Sequence, residues 1–211
     1  MADGYLEDKM ESFLGGSHKT NHIQPSLTTL LRRNRSYRGY DGKCIVAMEH
    51  LRKIIAVNTL LPSARNQQVL RFRPVLQDEA PIILEHIHLG GALKELHLPF
   101  PGTEPLAFIV ICSTVEESKY VDIDLGISVQ SMLLRATEMG LNGLCIGAFE
   151  VQAIQEALNL PSKPLLILAI GKGSEHIELT EIGAAESHAY YRQDGVQYVP
   201  KVRLDELIIN K

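Results

Sequence analysis

The sequence lacks paired cysteines and any apolar run long enough to cross a membrane. Its three cysteines, Cys44, Cys112 and Cys145, show no CxxC spacing and lie in apolar surroundings. That pattern is typical of reduced core thiols in a cytosolic protein. The longest apolar runs, residues 106–112 and 165–170, have the length of strands, and the acidic N-terminus lacks the apolar segment of a signal peptide. We therefore expect a cytoplasmic protein with no membrane partner.

An excess of basic charge is also missing. The 211 residues carry 21 Lys and Arg against 25 Asp and Glu, which gives a formal net charge of -4. A general nucleic-acid binder would carry basic charge over a whole face, so we expect no nucleic-acid partner. The sign of the charge reverses locally, because four arginines fall within residues 32–38, beside Ser36.

These arginines predict an anion site on one condition. Guanidiniums beside a hydroxyl are suited to clamping a phosphate, and a second basic pair, Lys201 and Arg203, lies near the other end of the chain. If the fold brings the two segments together, they form an anion pocket. If it does not, the arginines form a solvated face or a basic interaction patch, whose binding would weaken steeply with salt.

Hydrophobic periodicity predicts one domain of mixed helices and strands. Residues 124–139 carry the clearest helical stripe, which ends at Gly140. Residues 106–112 and 165–170 are continuous apolar runs, typical of buried strands. Helices and strands follow one another without a regular βαβ rhythm, which favours an α+β fold. The other predicted elements are helices at 27–33, 45–57 and 151–158 and a strand at 70–75. Near the end of the chain, a polar stretch leads into residues 198–202 and a final amphipathic piece at 204–209.

Residues outside these elements complete the predicted organisation. We expect an N-terminal helical extension at 1–26 and a single domain at 27–211. Residues 78–105, rich in proline, glycine and histidine, are predicted to be partly helical.

Three motifs are weak on their own. Residues 171–173 lack the third glycine of a dinucleotide-binding fingerprint, and residues 126–130 lack the second glycine of a nucleophile elbow. Residues 85–88 offer two histidines, but no further Cys/His cluster completes a metal site, so we expect no metal. A fourth motif, residues 61–68, offers a hydroxyl and amides that suit the edge of a flat polar heterocycle. A plain polar surface loop is the alternative interpretation of that segment.

Taken in order, five segments resemble the nitroreductase family of FMN-dependent oxidoreductases. The resemblance spans residues 27–209, and no single motif in it is decisive. The chain departs from the family pattern at Asn34, where a basic residue is common. Residues 78–102 also offer no counterpart of an Asn and a Lys that contact the pyrimidine edge of the flavin in many members. The matching segments are Arg35-Ser36-Tyr37-Arg38, Pro62-Ser63-Ala64-Arg65-Asn66-Gln67-Gln68, the helix from Asp124-Leu125-Gly126 to Gly140-Leu141, Cys145-Ile146-Gly147-Ala148-Phe149 and Val199-Pro200-Lys201-Val202-Arg203.

The resemblance implies a nitroreductase-like α+β fold, with a mixed, mainly antiparallel sheet flanked by helices. It implies a homodimer with two shared FMN sites at the interface. Residues 124–139 would supply much of the dimer core, and the C-terminal segment would extend over the partner. The FMN-binding residues would be Arg35, Ser36, Arg38, Pro62, Ser63, Ala64, Asn66, Gln68, Ile146, Gly147, Lys201 and Arg203.

Each of these residues has an implied role. Arg35, Ser36, Lys201 and Arg203 would hold the FMN phosphate, and Arg38 would reach the pyrimidine side of the flavin. The neighbouring subunit would contribute residues 62–64, with Ser63 and Asn66 at the ring edge. The backbone N–H of Gly147 would point at flavin N5.

The implied reaction is a ping-pong hydride transfer from NADH or NADPH, through FMN, to a nitroaromatic, a quinone or a flavin. No catalytic side chain is expected, because the cofactor carries the chemistry. Two alternatives stay open. One is flavin-dependent cleavage or dehalogenation of a specific small molecule, with residues 78–105 shaping its pocket. The other is a non-catalytic flavin- or nucleotide-binding module.

Overall fold

The computed structural model describes residues 25–90, 96 and 98–209. The predicted N-terminal extension lies outside the described residues, apart from residues 25 and 26 at its end. Within the described ranges, the mixture of helices and antiparallel strands confirms the α+β prediction.

The main sheet has four antiparallel strands in the order β1-β2-β4-β3. All seven residues of β2 are buried, which explains why this strand is a continuous apolar run in the sequence. The predicted strands at 70–75, 106–112 and 165–170 correspond to β1, β2 and β4, whereas no strand was predicted at the position of β3. The strands are β1 (Leu70–Val75), β2 (Ala107–Ser113), β3 (Asn142–Ile146) and β4 (Pro164–Gly171).

Six α-helices are described, together with two short 3-10 helices, Ala56–Thr59 and Ala64–Asn66. The longest, α4, starts five residues before the predicted 124 because Ser118 caps it, with its Oγ accepting a hydrogen bond from the Val121 N–H at 3.5 Å. It ends before Gly140, which has a φ of +79°. Within the described part of 78–105, α3 is the α-helix. The helices are α1 (Leu27–Arg33), α2 (Met48–Ile55), α3 (Ala80–Glu85), α4 (Lys119–Glu138), α5 (Val151–Ala157) and α6 (Leu204–Leu207).

The core lies on both faces of the main sheet. Alternate residues of β2 point to opposite faces: Phe108 and Val110 join a cluster with α3 and α5, whereas Ile109 and Ile111 join a cluster with α2 and α4. The sheet is therefore covered by helices on both sides, which keeps its edges and loops in fixed positions for a site.

A second sheet lies in the C-terminal part of the chain. It comprises β5 (His176–Ile182), β6 (Tyr191–Gln193) and β7 (Val196–Val202), in the order β5-β7-β6. Strand β5 pairs with β7 in parallel, and β6 pairs with β7 antiparallel. None of these strands was predicted from the sequence, although residues 198–202 fall within β7. Strand β5 alternates apolar with charged residues, and β6 has only three residues. The left-handed pair Asp194-Gly195 forms the β6–β7 turn and is a sequence signal for a hairpin.

Two glycines fix the arginine-rich segment against the main sheet. A Cβ at Gly171 would lie 2.7 Å from Cδ1 of Tyr40, and a Cβ at Gly173 would overlap the Tyr37 ring. Bridges between Ser36 and Gly143, and between Tyr40 and Gly173, continue this packing. The glycines at 171 and 173 thus admit two tyrosine rings, which hold the segment next to β3 and β4.

Candidate functional site

The fold brings the two basic segments of the sequence together. Arg35, Ser36 and Arg38, which follow α1, line one cavity of about 320 Å³ with Lys201 of β7. We call it the basic cavity. Arg203 lines a neighbouring cavity of about 500 Å³, which also contains Lys201. Lys201 therefore lies between the two cavities. Other residues that line the basic cavity include Gln130, Gly143, Cys145, Ile177, Tyr190, Gln197 and Val199.

Arg35 is held in place at the wall of the basic cavity. Its Nη2 donates a hydrogen bond to the Leu31 carbonyl at 2.7 Å, and burial lowers the pKa of its guanidinium from the ordinary value. The Nε atom is buried and finds no acceptor among the described residues. A buried donor without a partner costs about 1–3 kcal/mol, so an acceptor-rich ligand in the cavity would relieve a real cost.

Arg38 lies at another part of the same wall. Its guanidinium lies 4.9 Å from the centroid of the Tyr190 ring and donates to the Ser36 carbonyl at 3.2 Å and to Tyr190 Oη at 3.4 Å. These contacts restrict the side chain without neutralising it. Arg38 therefore keeps a positive charge at the cavity, available to an electron-rich or anionic group.

A partly buried ion pair links Arg38 to the second sheet. One carboxylate oxygen of Glu175 accepts hydrogen bonds from the backbone N–H groups of Arg38 and Gly39, and the other pairs with Arg192. Arg192 Nε in turn donates to Gln197 Oε1 at 2.9 Å. No role was predicted for Glu175, Arg192 and Gln197, because nothing in the sequence distinguishes them from the other polar residues around them.

Glu175→Ala should destabilise the fold strongly. The Glu175 side chain is 9% exposed and that of Arg192 is 21% exposed, so the substitution leaves a mostly buried guanidinium without its carboxylate. We expect the free energy of unfolding to fall by about 3 kcal/mol, measured by chemical denaturation. Glu178→Ala is the matched control, because the Glu178 side chain is half exposed beside His176 and should change stability by less than about 1 kcal/mol. Equal losses in the two variants would contradict this assignment.

The residues predicted to meet the flavin ring edge do not line the basic cavity of the same chain. Pro62, Ser63 and Gln68 line a separate cavity of about 550 Å³ bounded by α2, β1 and α4. The described residues that line the basic cavity include none from 62–68. One chain alone therefore does not bring the two parts of the predicted site together.

Helix α4 anchors this loop. The Ala64 N–H donates to both carboxylate oxygens of Asp124, at 2.9 and 3.2 Å, and Asp124 is 5% exposed. Six residues further along α4, Gln130 lines the basic cavity, which corresponds to about 9 Å of helix. The same helix therefore supports both parts of the site, at positions that are well separated within one chain.

The loop also carries backbone strain. Arg65, Asn66 and Gln68 have φ values of 54°, 53° and 47°, in the left-handed region that non-glycine residues rarely adopt. The Ser63 hydroxyl accepts a hydrogen bond from the Gln68 N–H at 3.2 Å, and Asn66 Oδ1 accepts one from Gln68 Nε2 at 3.1 Å. Strained residues held by such contacts cluster at binding sites, which favours a functional loop over a plain polar one.

The segment after β3 follows directly on Cys145, which lines the basic cavity. Ile146 ends β3 and is buried, and Gly147 follows it on the surface. The nearest atom to a Cβ built on Gly147 is 3.9 Å away, so packing within the chain does not require glycine there. A hydrogen bond of 2.9 Å from the His88 N–H to the Ala148 carbonyl ties this segment to the chain after α3.

The histidine pair of residues 85–88 lies at the end of α3, where His86 follows the last helical residue. His86 Nδ1 lies 3.0 Å from Glu150 Oε2, and the described residues contain no group of three His, Cys, Asp or Glu that could hold a metal ion. Within the same residues, no helix combines the length and the apolar character that crossing a membrane requires.

The chain is similar in sequence and in structure to proteins that are described as nitroreductases. The chain is 26% identical over 115 residues to "Putative nitroreductase MJ1384" of Methanocaldococcus jannaschii. The matched residues cover 51% of this chain and 58% of that protein. The chain thus spans less than two thirds of that relative.

Solved structures share the fold. A nitroreductase family protein from Streptococcus pneumoniae matches with a TM-score of 0.63 and 17% identity, over 88% of this chain and all of the other. A protein from Exiguobacterium sibiricum, described as "a putative nitroreductase in complex with FMN", matches with a TM-score of 0.58 and 19% identity, over 72% of this chain and 90% of the other. A model of the nitroreductase family matches residues 31–172, more than half of the sequence, and the chain belongs to that family.

Proposed function

We propose that this chain is an FMN-dependent oxidoreductase whose basic cavity holds the cofactor. One observation carries the proposal: Arg35, Ser36 and Lys201, from opposite ends of a chain with a net charge of -4, line a single cavity. The family membership and the FMN-bound relative from Exiguobacterium sibiricum support the same assignment. In this proposal residues 27–211 form one FMN-binding domain.

The residues of the basic cavity fit FMN chemically. A phosphate dianion needs fixed positive charge and several donors, which the guanidinium of Arg35, the ammonium of Lys201 and the hydroxyl of Ser36 would supply. The buried donors Arg35 Nε and Gln197 Nε2 have no hydrogen-bond partners among the described residues. A ligand with several hydrogen-bond acceptors would satisfy them. FMN is such a ligand, with acceptors on its phosphate, its ribityl chain and its ring.

When bound, FMN would supply hydride-transfer chemistry at its N5 atom, between NADH or NADPH and a small acceptor such as a nitroaromatic, a quinone or a flavin. The chain's own residues would bind FMN and orient its ring. Arg35, Ser36, Lys201 and Arg203 would hold the phosphate, and Arg38 would place positive charge at the pyrimidine side. Ile146 and Gly147 would lie along the ring, with the Gly147 N–H directed at N5. No side chain is assigned as a general acid or base.

We propose further that the protein is a cytoplasmic homodimer with two shared sites. Several apolar side chains are exposed in the single chain and would be covered by a partner. The loop at 62–68, including Pro62, Ser63, Ala64, Asn66 and Gln68, would then complete the basic cavity of the partner rather than its own. Helix α4 would contribute to the dimer core, and the C-terminal segment would extend over the partner. The exposed apolar residues include Leu27, Leu31, Leu60, Ile123, Leu204, Leu207 and Ile209.

Anaerobic titration tests the reaction. FMN-reconstituted protein should lose its flavin absorption when NADH or NADPH is added, and a quinone or a nitroaromatic should restore it. Steady-state rates at several acceptor concentrations should give the parallel double-reciprocal lines of a ping-pong mechanism. Bound FMN that neither nucleotide reduces would contradict the oxidoreductase and favour a flavin-binding module.

A further inference from the structure

Gln197 is a buried polar residue at the floor of the basic cavity. It is 2% exposed and lies on β7, where Val199 and Lys201, at spacings of two and four residues, also line the cavity. Its Nε2 atom is buried and has no hydrogen-bond partner among the described residues. A buried amide of this kind is expected to have a partner.

The orientation of this amide is fixed by its neighbours. Arginine only donates hydrogen bonds, so the oxygen of the Gln197 amide must face Arg192 Nε, at 2.9 Å. Arg192 is itself fixed by its ion pair with Glu175. Rotation of the amide by 180° would place its nitrogen against Arg192 and break that hydrogen bond. The two N–H groups of the amide therefore point away from Arg192.

The position along β7 indicates which part of a ligand lies near Gln197. Strand residues rise by about 3.3 Å each, so the Cα atoms of Gln197 and Lys201 are about 13 Å apart, which is more than a ribityl chain spans. If Lys201 holds the phosphate, the ring of FMN lies near Gln197. Arg38 belongs to the same end, since Glu175 joins the Arg38 backbone to Arg192.

We propose that Gln197 Nε2 donates a hydrogen bond to a carbonyl oxygen on the pyrimidine edge of the flavin, with Arg192 and Glu175 as positioning residues. This inference rests on the proposed function. The pyrimidine edge is the part of the ring that carries carbonyl oxygens, whereas the dimethylbenzene edge has no acceptor. The donor matters most when the ring is reduced, because reduction adds negative charge at that edge. Gln197 thus favours both FMN binding and the reduced form.

Two substitutions separate the donor from the packing. Gln197→Glu keeps an oxygen toward Arg192 and replaces the donor by a carboxylate, and Gln197→Met removes both polar atoms at similar volume. We expect Gln197→Met to weaken FMN binding about tenfold, and Gln197→Glu to weaken it and to lower the midpoint potential of the bound flavin. Gln193→Glu is the control, because Gln193 is exposed on β6 and should leave both quantities unchanged. Thermal melting of the FMN-free proteins checks that each variant folds.

Two FMN analogues test the contact itself. In 2-thio-FMN and 4-thio-FMN a carbonyl oxygen is replaced by sulfur, a weaker acceptor. The unmodified protein should bind one of them less tightly than FMN, and Gln197→Met should show no such penalty for that analogue. Affinity and potential unchanged in both Gln197 variants, or equal analogue penalties in the unmodified protein and Gln197→Met, would overturn the inference. Failure of the unmodified protein to bind FMN at all would overturn the proposed function instead.

Discussion

Lys201→Ala should lower the affinity for FMN roughly ten- to a hundredfold and leave the affinity for riboflavin nearly unchanged. Lys201 lines both the basic cavity, with Arg35, and the neighbouring cavity, with Arg203. An anion bound at Lys201 therefore lies near both basic segments of the sequence. Charge-assisted hydrogen bonds to phosphate are among the strongest in proteins. Riboflavin lacks the phosphate and therefore cannot lose this interaction. Fluorescence titration of FMN-free protein with each ligand measures both affinities.

Lys172→Ala is the matched control for this prediction. Lys172 is also an exposed lysine, it lies outside the basic cavity, and its Nζ is 3.9 Å from Asp41 Oδ2. It should bind FMN as the unmodified protein does. An unchanged FMN affinity in Lys201→Ala would remove Lys201 from the clamp. Equal losses for FMN and riboflavin would indicate a disturbed fold rather than a lost phosphate contact.

A heterodimer of two defective chains should regain about half of the activity of the unmodified dimer. One chain carries Arg35→Ala with Lys201→Ala, and the other carries Ser63→Asp. The carboxylate at 63 can still accept the Gln68 N–H that Ser63 accepts at 3.2 Å, so the loop keeps its local structure and places a negative charge at the ring edge. If loop and cavity come from different chains, the heterodimer has one doubly altered site and one intact site.

Co-expression with two affinity tags yields the heterodimer for measurement of bound FMN and NAD(P)H-dependent activity. Homodimers of either variant should have little activity and serve as the baseline. If each site were built within one chain, every site of the heterodimer would carry a defect, and activity would stay at the baseline. The separation in the structure between the Asp124-anchored loop and the basic cavity favours recovery.

The parts of the fold that could be predicted from the sequence are those in which the pattern of apolar residues matches the faces that are buried in the structure. Strands β2 and β4 are continuous apolar runs because both faces of the main sheet are covered. The stripe of α4 that includes Met132, Leu133 and Ala136 is buried against that sheet. Their periodicity is visible without any knowledge of the partners, and the resemblance to nitroreductases extended the prediction to the family and the fold.

The parts that sequence could not predict depend on contacts between distant residues. Glu175 becomes part of the site only because its carboxylate meets the backbone of Arg38 and the side chain of Arg192. Gln197 stands out only through its burial and its unpartnered nitrogen. In the sequence, Glu175, Arg192 and Gln197 are ordinary polar residues. The loop at 62–68 was predicted as part of the site, and the single chain holds it apart from the basic cavity, so the roles of its residues stay a prediction.

The most direct measurement is the visible spectrum and flavin content of the protein after reconstitution with FMN and desalting. We expect a retained flavin band with one FMN per chain, and we expect Arg35→Ala and Lys201→Ala together to abolish most of that band. A colourless protein, or a flavin band that the double variant keeps at full strength, would contradict the claim that the basic cavity binds FMN.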